Sequence, residues 1–539
     1  MTKYLFRATI GPVQSFIAQA RKLQDLYAGS FLLSYLNKNL IKTAEMLGAD
    51  VLYPKYREDR TSYPNLFVAT VNTNNPSDLS TFAEKLESSV REQWRTIAGD
   101  VLKHWKLEPK KDFTDQIETL LQFYWSAAEY RDGKGYYEAF LETLQRMGSA
   151  KTTRMFSPLS EPAGRKCELS AEHNALFARQ HKGHMVPDAY ILSNIDEKYL
   201  AKNETLGAVA FVKRCLEFGV KGFNSKFPDI ETVAHLARSK DSDRTPGVGS
   251  SQENDSYYAL VMFDGDNMGS LYSSADIDNL QAFQIELSGF VSKSSDQMPV
   301  IVNKKKGNGV VIYAGGDDFL GAMCLEHVFT TLSELRKSFR DNIDISKYTG
   351  KPSTFSAGIV IAHIKTPLGE VLRFAREAEH IAKEHNTSEK DAYCLTILKH
   401  SGEITRYTHS FSLHGSEDGV ILDGMILLHK LIDEIVINKV STSFVHQLQI
   451  EFGRILGTSA KTYSEMPELV LTHREMLKLE TKRILNRTEL PKDIDKKAVI
   501  NSICDSINLL IDKSGDSLTD ILGLLQSVAF IARQRGGRR

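Results

Sequence analysis

Two acidic turns constrain this chain more than any other feature. Tyr257 to Phe263 is a short apolar run ending in Asp264-Gly265-Asp266, and two further apolar runs, Val310 to Tyr313 and Phe319 to Cys324, flank Ala314-Gly315-Gly316-Asp317-Asp318. Runs of this length, rich in Val and aromatics and bounded by Gly and Asp, read as buried strands, and two of them about a Gly-rich turn make a β-hairpin. Apolar residues three and four apart predict helices from Asp276 (Leu280, Phe283, Leu287, Val291), over Val328 to Phe339, and from Pro367 (Leu368, Val371, Leu372, Ala375, Ala378, Ala382). Thr354 to His363 and Ala392 to Leu398 read as strands. The order strand, helix, hairpin, helix, strand, helix, strand predicts a ferredoxin-like palm with one additional strand.

The first half starts in a similar way. Tyr4 to Ile10 is a strand, Gly11-Pro12 a turn, Val13 to Tyr27 a helix and Leu66 to Val71 a further strand, which suggests a second, divergent palm. Phe113 to Phe223 reads as mostly helical, and helical spacing returns from about Gly415 to Arg533. Ser239 to Ser256 is polar and reads as a linker. The expected fold class is α+β: a palm over 1–112, a mostly helical domain over 113–238, the linker 239–256, a second palm over 257–410 and a helical domain over 411–539.

A length of 539 residues excludes a single small module. With 67 basic against 68 acidic residues the net charge is −1, so no global positive field points to nucleic acid, and RNA contact would come from local patches. Four arginines between Arg533 and Arg539 read as a solvated basic terminus. The five cysteines lie no closer than Cys167 and Cys215, which argues against a disulfide framework and a CxxC zinc site. No signal-peptide core opens the chain and no charge-free apolar run reaches membrane-spanning length, so a cytoplasmic protein with no membrane contact is expected.

In a palm the first strand and the hairpin are neighbours, so Asp264, Asp266, Asp317 and Asp318 would converge at one edge. Carboxylates without His or Cys form a hard oxygen site suited to Mg²⁺ or Mn²⁺ and to phosphate chemistry, in which two ions assist an in-line displacement. Gly315 and Gly316 would let the backbone approach triphosphate oxygens. The bland alternative is that both motifs are polar turns. No GxxxxGK[ST] sequence occurs, which excludes P-loop chemistry. Ser356 and Gly358 are small enough to admit a nucleobase or ribose, or else mark close strand packing. Lys383 is a candidate phosphate contact or a helix-dipole partner. Lys304 to Lys306 reads as a solvated loop, His363 as structural, and Cys167 with His173 as too few ligands for a metal.

The stretches Ile10-Gly11-Pro12-Val13-Gln14-Ser15-Phe16-Ile17, Ala20-Arg21-Lys22, Leu26 to Ser34, Tyr63 to Phe67, Phe211-Val212-Lys213-Arg214, Phe227-Pro228, Phe263 to Gly269, Tyr313 to Asp318 and Ser356 to Leu368 resemble the large palm-containing subunit of type III-B (Cmr-type) CRISPR effector complexes, over about the first 400 residues. The resemblance implies two facing cyclase-like palms in a subunit of an RNA-guided antiviral complex. Its other subunits, guide RNA and target RNA are the implied partners, and target pairing would switch on synthesis of a nucleotide second messenger from ATP. By position, Asp264, Asp317 and Asp318 would be catalytic metal ligands. Gly265, Asp266, Gly315, Gly316, Ser356, Gly358 and Lys383 would meet nucleotide on that palm. Gly11, Gln14, Ser15, Phe16 and Ser30, with Asn65 and Phe67, would line the pocket of the other.

Three departures from the family pattern matter. The chain starts at the first palm and holds no His-Asp dipeptide, so no HD nuclease activity is expected. Lys166-Cys167-Glu168-Leu169 matches the start of the family's zinc module but the partner cysteines are missing, so no zinc is expected. The first palm has Gly-Pro-Val-Gln where the second has acids, implying one binding and one catalytic palm. The acceptor of AMP stays open between ATP, giving cyclic oligoadenylates, and S-adenosylmethionine as co-substrate. Two other classes compete: a catalytically silent scaffold and a free-standing nucleotide cyclase.

Overall fold

The computed structural model describes residues 2–58, 62–130, 135–153, 161–236, 256–268, 289, 293, 296–303, 308–315, 317–342, 346, 353–385, 390–414, 421–455, 472–513 and 518–536. The expected linker (except Ser256), nearly all of the helix expected from Asp276, the Lys304 to Lys306 loop and Gly316 lie outside the described residues.

The first half builds a sheet from β1 (Thr2–Gly11), α1 (Gln14–Ala18), α2 (Leu23–Met46), β2 (Asp50–Tyr53), β3 (Leu66–Thr73), α3 (Ser77–His104), α4 (Lys111–Leu120) and β4 (Gln122–Tyr130). Its strands run antiparallel in the order β2-β3-β1-β4, the ferredoxin-like arrangement. Phe6, Ala8 and Ile10 of β1 pack toward α2 and α3, while Leu5 packs with Phe140 of α5 (Tyr136–Thr152) on the opposite face. Helices on both faces bury β1 from Leu5 to Ile10, including Arg7, whose guanidinium lies over the Phe140 ring.

Two expectations change here. The first sheet extends past residue 112, because β4, within the stretch expected to be helical, pairs with β1 along its whole length. The single helix expected over Val13 to Tyr27 is two helices. Asp25 accepts the backbone N–H groups of Arg21 (3.0 Å) and Lys22 (3.1 Å), which starts α2 afresh. Most of 161–207 is turns around three two-residue strands, β5 (Phe177–Ala178), β6 (Tyr190–Ile191) and β7 (Thr205–Leu206), followed by α6 (Ala208–Arg214) and α7 (Ile230–His235). The Phe177 ring stacks on Phe211 (3.8 Å) and Tyr190 (4.7 Å) and gives this irregular segment its core.

The second sheet comprises β8 (Tyr257–Gly265), β9 (Gly309–Ala314), β10 (Phe319–Cys324), α8 (Val328–Asn342), β11 (Phe355–His363), α9 (Leu368–His385), β12 (Ala392–Leu398) and β13 (Ile404–Ser410). Its order is β13-β12-β11-β8-β10-β9. The core β11-β8-β10-β9 repeats the β4-β1-β3-β2 order of the first sheet, and two strands, not one, extend it beyond β11. After β14 (Ser412–His414) and β15 (Ile421–Asp423) come five helices: α10 (Gly424–Ile437), α11 (Ser443–Ile455), α12 (Thr472–Arg487), α13 (Lys496–Lys513) and α14 (Leu518–Gly536). The basic terminus is partly structural. Arg535 is buried at 5% exposure and its guanidinium holds Glu326 (3.0 Å) and Asp433.

Gly358 decides how α9 sits on the second sheet. A Cβ there would lie 2.4 Å from the Ala375 carbonyl oxygen and 2.5 Å from the Glu379 nitrogen, so helix backbone rests directly on strand backbone. Gly358 therefore takes the close-packing option, and the room expected for a nucleobase is filled by α9. Gly358→Ala is expected to push α9 outward at a cost of about 1–3 kcal/mol, read as a lower urea midpoint. An unchanged midpoint would show that the contact is not needed.

Candidate active site at the edge of the second palm

Strand register brings the acids together. Phe319 is opposite Phe263, so the turn after β9 lies beside the end of β8. The Gly265 N–H donates to the Asp317 carbonyl (3.1 Å) and the Gly315 N–H to the Asp318 carbonyl (2.9 Å). A Cβ on Gly315 would fall 1.7 Å from the Tyr313 hydroxyl, so any larger residue in this turn would have to displace the Tyr313 ring. Lys383, near the end of α9, pairs with Asp264 and, one turn back, with Glu379 (2.6 Å). These carboxylates hold the Lys383 pKa above its ordinary value although burial opposes it.

Asp317 is half-buried, its pKa pushed up to about 6 by desolvation and then by the Asp264 charge. Asp318 is raised well above the usual carboxylate range, by desolvation and by hydrogen bonding and repulsion from Asp264 and Asp317. Its side chain is nevertheless open to solvent at the cleft, so the repulsion is the stronger physical cause and water tempers the desolvation. Three oxygen-only groups that repel one another fit a divalent hard cation such as Mg²⁺ or Mn²⁺. Asp264 is here engaged by Lys383, and among the described residues no three His, Cys, Asp or Glu side chains already converge as a closed metal centre.

Asp266 has a different task from the one expected. It is 1% exposed and accepts Thr354 Oγ1 (2.9 Å), Ser356 Oγ (2.8 Å) and the Asp391 N–H (3.0 Å). Burial raises its pKa against these three donors. Asp266 and Ser356, both buried, thus lock the acidic turn onto β11. Asp391 is in turn gripped by Arg336 (2.9 and 2.6 Å) and Ser412 (2.7 Å).

The first palm's expected residues separate. Ser30 of α2 lines a cleft of about 290 Å³ with Tyr27, Phe31 and Ser34, facing Tyr313 and Ala314 at the start of the acidic turn. Ser15 and Phe16 border another cavity of about 180 Å³, with Gln116, Gln122 and His173. The Gln14 carbonyl accepts from Arg376 of α9 (3.2 Å). Gly11 ends β1 opposite Gln122, Asn65 Nδ2 is held by Thr9 Oγ1 (3.2 Å) and the Ile10 carbonyl (3.4 Å), and Phe67 is a fully buried core residue beside Phe6. Tyr27, Ser34 and Glu379 were not anticipated. Serines four apart in the otherwise apolar stretch Leu26 to Leu36, and a Glu four before Lys383, are the signals that could have found them. Cys167 is buried in a turn whose N–H donates to the His173 carbonyl (2.8 Å), and the His173 ring lies between Glu161 and Thr119. Among the described residues no helix is long and apolar enough to cross a membrane.

Comparison with known proteins agrees with this architecture. Residues 257–394 match the family model of the Cas10/Cmr2 second palm domain, and residues 5–99 that of the CRISPR-associated protein Cmr2 N-terminal region. The CRISPR system Cmr subunit Cmr2 of Pyrococcus furiosus is 28% identical over 199 residues, which is 33% of this chain and 22% of that protein, so the match spans about a fifth of that relative's length. Among solved structures, a chain of the type III-B Cmr-beta complex in its apo state is similar at TM-score 0.65 and 13% identity, over 95% of this chain and 82% of that one. The complex bound to cognate target RNA gives TM-score 0.65 and 13% identity over 100% and 83%. A Csm1-Csm4 cassette in complex with pppApApA gives TM-score 0.52 and 14% identity over 98% and 69%. At such identities these likenesses show a shared fold.

Proposed function

From the match of residues 257–394 to the Cas10/Cmr2 second palm domain and of residues 5–99 to the Cmr2 N-terminal region, we propose that this chain is the large subunit of a cytoplasmic type III CRISPR complex that transfers AMP from ATP to make a nucleotide second messenger when guide RNA pairs with target RNA. The observation that carries this reading is the crowding of Asp264, Asp317 and Asp318 at a glycine turn whose preceding residues, Tyr313 and Ala314, line the same cleft as Ser30. Repulsion of this kind costs stability in a scaffold and is useful in a site that binds cations and phosphates.

Asp264, Asp317 and Asp318 would hold Mg²⁺ or Mn²⁺, which supplies charge stabilisation for an in-line displacement at phosphorus. Lys383, held by Asp264 and Glu379, is a fixed cation beside them for the triphosphate. A hydroxyl or other nucleophilic atom of the acceptor forms the new bond to the α-phosphorus of ATP as the bond to pyrophosphate breaks. The acceptor is seated from the first-palm side, where Tyr27, stacked on Phe227, and Phe31 border the cleft with Ser30, while Ser34 Oγ already accepts the Tyr63 N–H. Gln14 reaches the second palm only through its carbonyl, and Ser15 and Phe16 belong to the neighbouring cavity.

The test uses the assembled complex with target RNA, Mg²⁺ or Mn²⁺ and labelled ATP, with and without S-adenosylmethionine. Oligoadenylates from ATP alone identify ATP as acceptor, and a product that needs S-adenosylmethionine identifies that compound. No product in either case overturns the enzyme reading and leaves a scaffold. Turnover is expected to decline as pH falls through about 6, because Asp317 then takes up the proton that a cation must displace. A rate flat between pH 5 and 7, roughly the window around that value, would remove Asp317 from the site.

A further inference from the structure

Lys213 and Arg214 at the end of α6 are buried side by side, 2% and 1% exposed. Lys213 Nζ donates to the carbonyls of Phe16 (2.6 Å), Gln19 (3.0 Å) and Ile17 (3.4 Å) and stands 4.6 Å from the centroid of the Phe16 ring. An ammonium has three N–H donors, and three carbonyls receive them. These carbonyls lie at and just beyond the C-terminal end of α1, a five-residue helix too short to hold its own shape. The Lys213 stem reaches them past Gly29 of α2, where a Cβ would lie 2.9 Å from Cε and 3.1 Å from Nζ. Arg214 braces the other side of the same break. It holds Asp25 (2.8 Å) and Glu204 (3.0 Å), and Asp25 caps the start of α2.

The braced segment is where the palms meet. Ile17, Ala18, Ala20, Leu23 and Leu26 share one apolar cluster with Val371, Leu372 and Ala375 of α9. Arg376 of α9 bonds the Gln14 carbonyl, and Lys383, two turns on, holds Asp264. Resting on the reading of function above, we propose that Lys213 is a positioning residue: by tying down the α1–α2 break it fixes the seat of α9 and the spacing of the cleft between the palms, without touching nucleotide itself.

The experiment compares the wild-type complex with Lys213→Met and Gly29→Ala variants, the second retaining the lysine but crowding its Cε and Nζ and, less closely, the Ile17 backbone at 3.3 Å. Hydrogen exchange of the amides from Phe16 to Leu23 is followed without nucleotide. In both variants exchange there is expected to rise about tenfold, the size of effect a lost charged hydrogen bond gives. The acceptor KM is expected to rise by a similar factor with kcat changed by less than about threefold, the signature of lost uniform binding. Unchanged exchange overturns the proposal. Faster exchange with kcat and kcat/KM falling together and KM unmoved also overturns it, since a spacing role would move KM. If Lys213→Met does not fold, Gly29→Ala decides by the same readings. If the wild-type complex makes no nucleotide product, the functional reading fails and the exchange data alone decide whether Lys213 holds the turn.

Discussion

An Asp317→Asn, Asp318→Asn double variant is expected to lose nucleotidyl transfer by roughly a thousandfold and yet to unfold at higher urea than its parent when divalent cations are absent. Asp317 has a folded pKa of about 6 against an ordinary value of 3.8. Between those values the folded state binds more protons, so the contribution of this group to stability is complete below pH 3.8 and is lost as pH rises through about 6. An amide suffers no such loss. The gain should appear above pH 6 as about 1–2 kcal/mol, discounted for water reaching the cleft, and vanish near pH 4. Lower stability together with lost turnover would make these carboxylates structural. Retained turnover would remove them from the active site.

The second large effect lies far from the acids. Arg214 is 0% exposed against Asp25 at 1% and Glu204 at 4%, so Arg214→Met strands two buried carboxylates. The expected loss is about 3–5 kcal/mol, measured as a fall in urea midpoint. Arg373→Met breaks exposed pairs with Glu370 and Glu377 and should cost under about 1 kcal/mol. Equal losses in the two variants would mean that the Arg214 network is not the tie described.

The second palm was legible because its central strands are largely buried and its turns carry Gly and Asp, so Tyr257 to Phe263 and the hairpin announce themselves. In the first only β1 and β3 were legible, while the short β2 (Asp50–Tyr53) and β4 were not. Gln122 to Tyr130 does carry strand-favouring Phe123, Tyr124 and Trp125, but it lies between helical stretches and continues into Ser126, Ala127, Ala128 and Glu129, so its pairing with β1 is what marks it as a strand. The break between α1 and α2 depends on Lys213 and Arg214, nearly two hundred positions away, which no local pattern can reveal. Asp264 and Asp266 look equivalent in sequence. The strand ends between them at Gly265, so one stays at the cleft while the other turns beneath the sheet to Thr354 and Ser356. The arginines near the terminus read as a solvated tail because Glu326, the partner of Arg535, lies more than two hundred residues earlier.

The repeated strand order of the two sheets has a consequence for symmetry. Two identical palms meeting across a twofold axis must carry identical sites, so any change to one occurs in both. Here the halves share a single polypeptide, and one β1-type strand ends in Ile10-Gly11-Pro12 while its counterpart ends in Asp264-Gly265-Asp266. Covalent linkage releases the pair from sameness while keeping both halves present at one-to-one ratio. Charge can then be concentrated in one half and shape in the other, a division of labour that a symmetric dimer cannot make.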